Sequence, residues 1–186
     1  TDYEMPPGGL NLRPNQPPLV EEDFLVNKRL PAATAFARAN GIDRTIIDSE
    51  RRTLGIVSAG KASLDVRQAL SDLGLDEETC RRLGIRLYKP GLIWPMDREK
   101  LTGFAQGCQA ILVVEEKRPM MEDQIARHLY SVRADLRPAL AGKQDLQGAP
   151  LLPATGELTV GHVRRALVAV LDQIGVRDER VAARFA

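Results

Sequence analysis

The sequence predicts an α/β domain, a mostly parallel sheet carrying helices on both faces. Three observations lead there. The stretch from Leu54 to Leu70 starts with a short apolar segment, passes through Ala59-Gly60-Lys61, and continues at once as an amphipathic segment. That is the pattern of a buried strand turning tightly into a helix. Ala110-Ile111-Leu112-Val113-Val114 is apolar without alternation, as suits a strand covered on both faces. Short apolar runs then alternate with helical periodicities along the rest of the chain, about four strand–helix units plus one further β-prone run.

Composition agrees with a folded unit and narrows its partners. The 186 residues, 44% hydrophobic and 27% charged, can bury one sizeable core with an extension beside it. A net charge of +1 supplies no basic excess for collecting phosphates, so nucleic acid is excluded as the main partner. No apolar run approaches the roughly 18 residues of a membrane span, and the first residues lack the pattern of a signal peptide, so no membrane partner is expected. Cys80 and Cys108 have no metal-ligand spacing and are too few to frame a secreted mini-domain. A reducing, cytoplasmic setting is the expectation. The chain opens Thr1-Asp2-Tyr3 on Pro- and Gly-rich residues, which leads to the expectation of a piece of a longer polypeptide.

Taken in order, residues 1–19 hold five of the 12 prolines and read as a linker. Glu21 to Asn40 is helical in pattern, with acids at its start and Pro31 suited to open a second helix that stops at Asn40-Gly41. Residues 1–43 together form a Pro/Gly-rich linker plus helical lead-in. Thr45-Ile46-Ile47-Asp48 is β-prone, and its closeness to Leu54 suggests an antiparallel hairpin at the sheet edge. From Ala62, apolar residues at 62, 66, 69, 70 and 73 share one helical face, ended by Gly74. Asp76 is an N-cap for a short helix closed by Gly84. Ile85–Lys89 alternates like a strand and stops at Pro90-Gly91. Asp97 caps a helix whose apolar face is Leu101, Phe104, Ala105 and Cys108, and the strand 110–114 follows. Pro119 suits the first turn of a helix striped by Met121, Ile125, His128 and Leu129. A weaker strand spans Ala139 to Gly142. Thr159 caps the most amphipathic helix of the chain, ended by Gly175. The α/β domain thus covers 44–175, and 176–186 is a charged tail.

Two places could carry chemistry. Ala59-Gly60-Lys61-Ala62-Ser63 puts a glycine turn, a lysine and a hydroxyl at a helix start, where backbone N–H groups attract anions. The phosphate-loop pattern fails here at its first glycine and at the residue after Lys61, which favours an architectural turn. Glu115-Glu116-Lys117-Arg118 follows the apolar strand at the sheet edge where open α/β sheets bind ligands. Gly60, Lys61, Ser63, Glu115, Glu116 and Lys117 are therefore the candidate ligand or inter-domain edge. His128 reads as a half-buried core residue and His162 as an exposed one in the first turn of the last long helix. Neither has a nucleophile at a recognisable spacing. Trp94 is a candidate interface anchor, with capping of the sheet edge the equal alternative.

Five blocks occur in succession: MPPGGLNLR (5–13), LGIVSAGKASLDVRQAL (54–70), LGIRLYKPGLIWP (83–95), ILVVEEKRPMMEDQI (111–125) and PLLPATGELT (150–159). This series resembles the middle of an indolepyruvate ferredoxin oxidoreductase of the branch with long fused chains, over about residues 5–175. The resemblance implies a domain similar to the transketolase C-terminal domain, a three-layer α/β/α sandwich on a five-stranded mixed sheet. It implies a parent that oxidatively decarboxylates aryl 2-oxo acids to acyl-CoA, using thiamine diphosphate with Mg, 4Fe-4S clusters, coenzyme A and ferredoxin. The metal motif of thiamine enzymes, which opens Gly-Asp-Gly, has no counterpart here, and two cysteines cannot supply the thiolates of an iron–sulfur centre. The family's catalytic, cofactor-binding and metal residues map onto none of these positions. The reading is a non-catalytic structural and inter-domain fragment, its partners the other domains of the parent chain and, through the parent, ferredoxin, with a homodimer left open. A reading from another class is an independent α/β module binding a small anion or nucleotide at Gly60, Lys61, Glu116 and Lys117. A minor third is a hydrolase using Cys80 or Cys108.

Overall fold

A computed structural model describes residues 3–185; the first two residues of the linker and the last of the tail lie outside them. A helical arm comes first: α1 (Pro18–Phe24), one π turn (Leu25–Arg29) and α2 (Leu30–Ala39). The domain body follows as β1 (Arg44–Ile47), β2 (Leu54–Ser58), α3 (Gly60–Asp72), α4 (Glu77–Leu83), β3 (Ile85–Lys89), α5 (Arg98–Ala105), β4 (Ala110–Val114), α6 (Met121–Tyr130), β5 (Ala139–Ala141), α7 (Val160–Gln173) and α8 (Glu179–Phe185). The sheet order is β1-β3-β2-β4-β5. β3, β2, β4 and β5 run parallel, and β1 pairs antiparallel with β3 at one edge.

Side chains of the central strands alternate between two cores, which makes the body a three-layer α/β/α sandwich on a five-stranded mixed sheet. Leu54, Ile56, Leu112 and Val114 pack with Val66, Leu70, Val163, Leu167 and Val170 of α3 and α7. Val57, Ile111, Val113 and Tyr88 pack on the opposite face with Leu101, Phe104, Met121, Ile125 and Leu129 of α5 and α6. Each fully buried Leu or Ile contributes about 1.5–3 kcal/mol by leaving water. The charged Arg86 reaches into the second core because its guanidinium lies 4.5 Å above the Phe104 ring and donates to Asp48 at 2.6 Å.

The helix ends follow the capping residues. Asp76 accepts from Thr79 N at 2.8 Å, and Asp97 from Glu99 N at 2.9 Å and Lys100 N at 3.1 Å. Gly84 closes α4 at φ 78°.

Four expectations are corrected. β1 does not form a hairpin with β2. All five β2 residues are buried, so β2 takes parallel partners on both sides and the partly exposed β1 pairs with β3 at the edge. The arm starts at Pro18; Pro31 does stand in the first turn of a second α-helix, α2, but that helix follows the π turn without a break. Pro31 has no N–H for the ladder, and the π turn stands just before it. α6 starts at Met121, past Pro119, because the Glu115 carboxylate rather than a local cap meets its first N–H groups. His162 is half-buried, not exposed: with Thr159 it closes a capping box on α7.

Candidate functional site

The chain passes from β2 outward to β3 and then back across to β4, so the connections reverse between β2 and β4. The crevice beyond the C-terminal ends of those two strands is where open α/β sheets seat ligands. Ser58 and Val114 are paired residues at that end; Gly60 and Lys61 open α3 just after the first, and Glu115, Glu116 and Lys117 follow the second in a loop. The structure thus gathers five of the six candidate residues at one edge. Ser63 lies apart, buried among the inward-facing residues of α3.

Gly60 has φ 54°, a left-handed angle that lets the chain turn from β2 into α3. The Lys61 ammonium donates to Asp65 Oδ2 at 3.0 Å and to the Leu158 carbonyl at 2.9 Å, with Glu157 at 3.8 Å. The Asp65 hydrogen bond raises its pKa. Lys117, itself at φ 64°, donates to the Gly156 carbonyl at 2.6 Å and stands 3.9 Å from Glu116.

A third lysine completes the pattern. Lys143, just past β5, donates to the Pro153 carbonyl at 3.1 Å and the Glu115 carbonyl at 2.6 Å. Burial lowers its pKa against the pull of Glu115, Glu122 and Glu116. Three lysines from three different strand ends therefore grip one segment, residues 153–158. Buried Leu152 and Leu158 pin that segment to the α3/α7 core, and Ala154 to Glu157 between them are exposed.

Two carboxylates here, Glu115 and Glu122, are likewise committed. Glu115 is buried and accepts from Met120 N (3.1 Å), Met121 N (2.8 Å) and Glu122 N (2.9 Å), so it caps α6 from a distance. Glu122 accepts from Lys143 N at 2.9 Å, and burial raises its pKa with Glu115 adding to the effect. Sequence reasoning missed Glu122, Lys143 and the gripped segment. An acid in a first helical turn and a lysine after a glycine are ordinary signals, and backbone carbonyl acceptors leave no mark in a sequence.

The remaining candidates are dispersed. Cys80 and Cys108 are buried in cores on opposite faces of the sheet. Burial pushes the Cys80 thiol up to about 12 and raises Cys108 as well, opposite to what a nucleophilic thiolate needs. His128 is half-buried, its pKa lowered by burial and by Arg98. Trp94 is 55% exposed, so it does not cap the sheet. No three His, Cys, Asp or Glu side chains among the described residues converge to hold a metal ion, and no helix among them is long and apolar enough to cross a membrane.

Comparison with known proteins places this geometry. Indolepyruvate oxidoreductase subunit IorA of Pyrococcus horikoshii is 28% identical over 127 residues, which are 68% of this chain and 17% of that protein. The chain thus spans about a sixth of the length of the curated relatives it matches. A solved 2-oxoglutarate:ferredoxin oxidoreductase from Magnetococcus marinus, with 2-oxoglutarate, coenzyme A and succinyl-CoA bound, overlays with TM-score 0.47 at 17% identity, covering 87% of this chain and 24% of that one. A split-gene transketolase, an inactive β4 tetramer, gives TM-score 0.46 at 17% identity over 68% of this chain and 41% of that one. The model of the indolepyruvate ferredoxin oxidoreductase middle domain matches residues 43–150, the larger part of the chain. The chain belongs to the indolepyruvate ferredoxin oxidoreductase family, and the matched region is its middle domain.

Proposed function

We propose that this chain is a structural, inter-domain module of a thiamine-diphosphate-dependent indolepyruvate ferredoxin oxidoreductase and carries no catalytic group of that reaction. In this reading the parent oxidatively decarboxylates aryl 2-oxo acids to acyl-CoA in the cytosol, with ferredoxin as electron acceptor. One observation carries it. The edge where an α/β sheet would seat a ligand is strapped by the chain's own residues 153–158, and Lys61, Lys117 and Lys143 each donate one hydrogen bond to that strap. Ammonium groups held this way fix a surface for a neighbouring domain rather than wait for a phosphate.

The residues present do not fit the cofactors the family implies. The two thiols lie on opposite sides of the sheet and cannot ligate one iron–sulfur cluster. The buried carboxylate at the strand edge is saturated by α6 N–H groups and offers nothing to a magnesium ion. The reading therefore puts thiamine diphosphate, Mg and the 4Fe-4S clusters in other parts of the parent, and no step of the reaction is assigned here.

Thermal unfolding of the chain with coenzyme A, with nucleotides, and with thiamine diphosphate plus Mg tests this. The expected result is an unchanged melting temperature in all three, while Lys143→Ala alone lowers it by freeing the strap. Stabilisation by a nucleotide that disappears in Lys61→Ala would overturn the proposal and establish an independent anion- or nucleotide-binding module at Gly60, Lys61, Glu116 and Lys117.

A further inference from the structure

We infer that the exposed apolar side chains of the helical arm, residues 18–39, make it a docking surface for the neighbouring domain on its N-terminal side in the same polypeptide; this rests on the inter-domain reading above. Of the fifteen large apolar side chains exposed among the described residues, five fall on the arm itself, Leu19, Val20, Leu25, Val26 and Phe36, and two more, Met5 and Leu12, on the segment leading into it. Leu19 is 78% and Phe36 60% exposed. Single exposed apolar residues scattered over a body are ordinary, but such a concentration on one short arm marks an interaction surface.

The arm is organised without leaning on the body. The guanidiniums of Arg13 and Arg29 lie 5.2 and 5.1 Å from the Phe24 ring centre. Tyr3 donates to the Lys28 carbonyl at 2.8 Å and Arg29 to the Leu10 carbonyl at 2.9 Å, so the leading segment folds back along the helices. Ala37 is the only buried residue of α1, the π turn and α2. The tie to the body is Arg38, paired with Asp97 and, at 2.9 Å, with Glu99. Helices this short gain little from intrinsic propensity in water and take most of their stability from packing. The body supplies little packing, so another surface must.

The occupant follows from where the family unit lies. The middle-domain match starts at residue 43, immediately after the arm, and the relatives are about six times longer than the aligned part. A middle domain has a domain ahead of it, and the arm is the stretch on that side. Two further exposed apolar side chains, Ile93 and the 55%-exposed Trp94, lie in the loop that leads to Asp97, the anchor of Arg38.

Hydrogen exchange compared between this chain alone and the full-length parent tests the inference. Amides of 18–39 are expected to exchange about tenfold or more slowly in the parent, while β2 and β4 are unchanged. A Leu19→Lys/Phe36→Lys variant should leave the melting temperature of the chain alone unchanged, because both side chains are exposed, and abolish the extra protection in the parent. Equal exchange in both contexts overturns the inference. So does protection in the isolated chain that rises with its concentration alongside a dimer in sedimentation, which would make a second copy the occupant. The readout is independent of activity, so a parent that turned over a different substrate would overturn the proposed function and leave this surface standing.

Discussion

The Glu115 carboxylate takes the N–H groups of Met120, Met121 and Glu122, while the carbonyl of the same residue takes the Lys143 ammonium. One residue thereby sets the start of α6 and, through Lys143, one end of the strap. The side chain is buried, so truncation takes the acceptor from three donors, the Met121 N–H buried and the Met120 and Glu122 N–H groups part-buried. Glu115→Ala is expected to cost about 3 kcal/mol of unfolding free energy. Glu115→Gln, which keeps one acceptor oxygen, should cost about 1 kcal/mol. Urea unfolding midpoints at neutral pH check both, and equal losses would mean that the cavity rather than the hydrogen bonds sets the cost. In the sequence Glu115 is visible as an acid at a strand end, and its position at the edge is legible for that reason. Its capping role is not, since the residues at the helix start, Met120 and Met121, carry no capping signature.

At the scale of elements, legibility depended on how local the signal was. β3 and β4 run as their apolar patterns indicate, because Gly84, Pro90 and the polar residues around each strand stop them locally. The partner of β1 was hidden, since a short gap to β2 mimics a hairpin and only burial of β2 on both sides excludes it. Gly55 is a further case. A glycine inside a strand ordinarily weakens it, and alanine would be expected to help. Here a Cβ on Gly55 would sit 2.5 Å from Ile111 Cδ1 and 2.9 Å from Phe104 Cε1, in the core between β2, β4 and α5. Phe104 is stacked on Tyr88 at 5.1 Å and lies under Arg86, so it cannot retreat freely. Gly55→Ala should therefore destabilise by about 1–3 kcal/mol, the cost of overpacking. Chemical denaturation checks it, and a stabilised variant would show that the α5 side of the core yields.

For the whole molecule, the weakest joint is the one between arm and body, and Asp97 controls it. Its carboxylate caps α5 and binds the Arg38 guanidinium, Nη2 donating to Oδ1 at 2.9 Å. Burial pushes the Asp97 pKa up, but the Arg38 hydrogen bond, the N–H groups of Lys100 and Glu99 and the Arg38 charge outweigh it and hold the group below the usual carboxylate range. An acid with a depressed folded pKa stabilises the fold at pH above its unfolded value, about 3.9, and loses that contribution as pH falls through the folded value. Acidification should thus release the arm before it unfolds the sheet, because the two cores depend on apolar burial and the arm on Arg38 paired with two carboxylates, Asp97 and Glu99. The expected sequence on lowering pH from neutrality to about 2 is faster amide exchange in α1 and α2 first, then loss of β2 and β4 protection. Asp97→Asn should move the first step toward neutral pH, since only Glu99 is left to pair with Arg38 as a charge, and should make the acid limb of stability shallower, with Asp48, Asp76, Asp145 and Asp178, whose pKa values are also lowered, supplying the rest. If both steps stay together in the wild type, or the first does not move in Asp97→Asn, the arm is held by its apolar contacts and not by this pair.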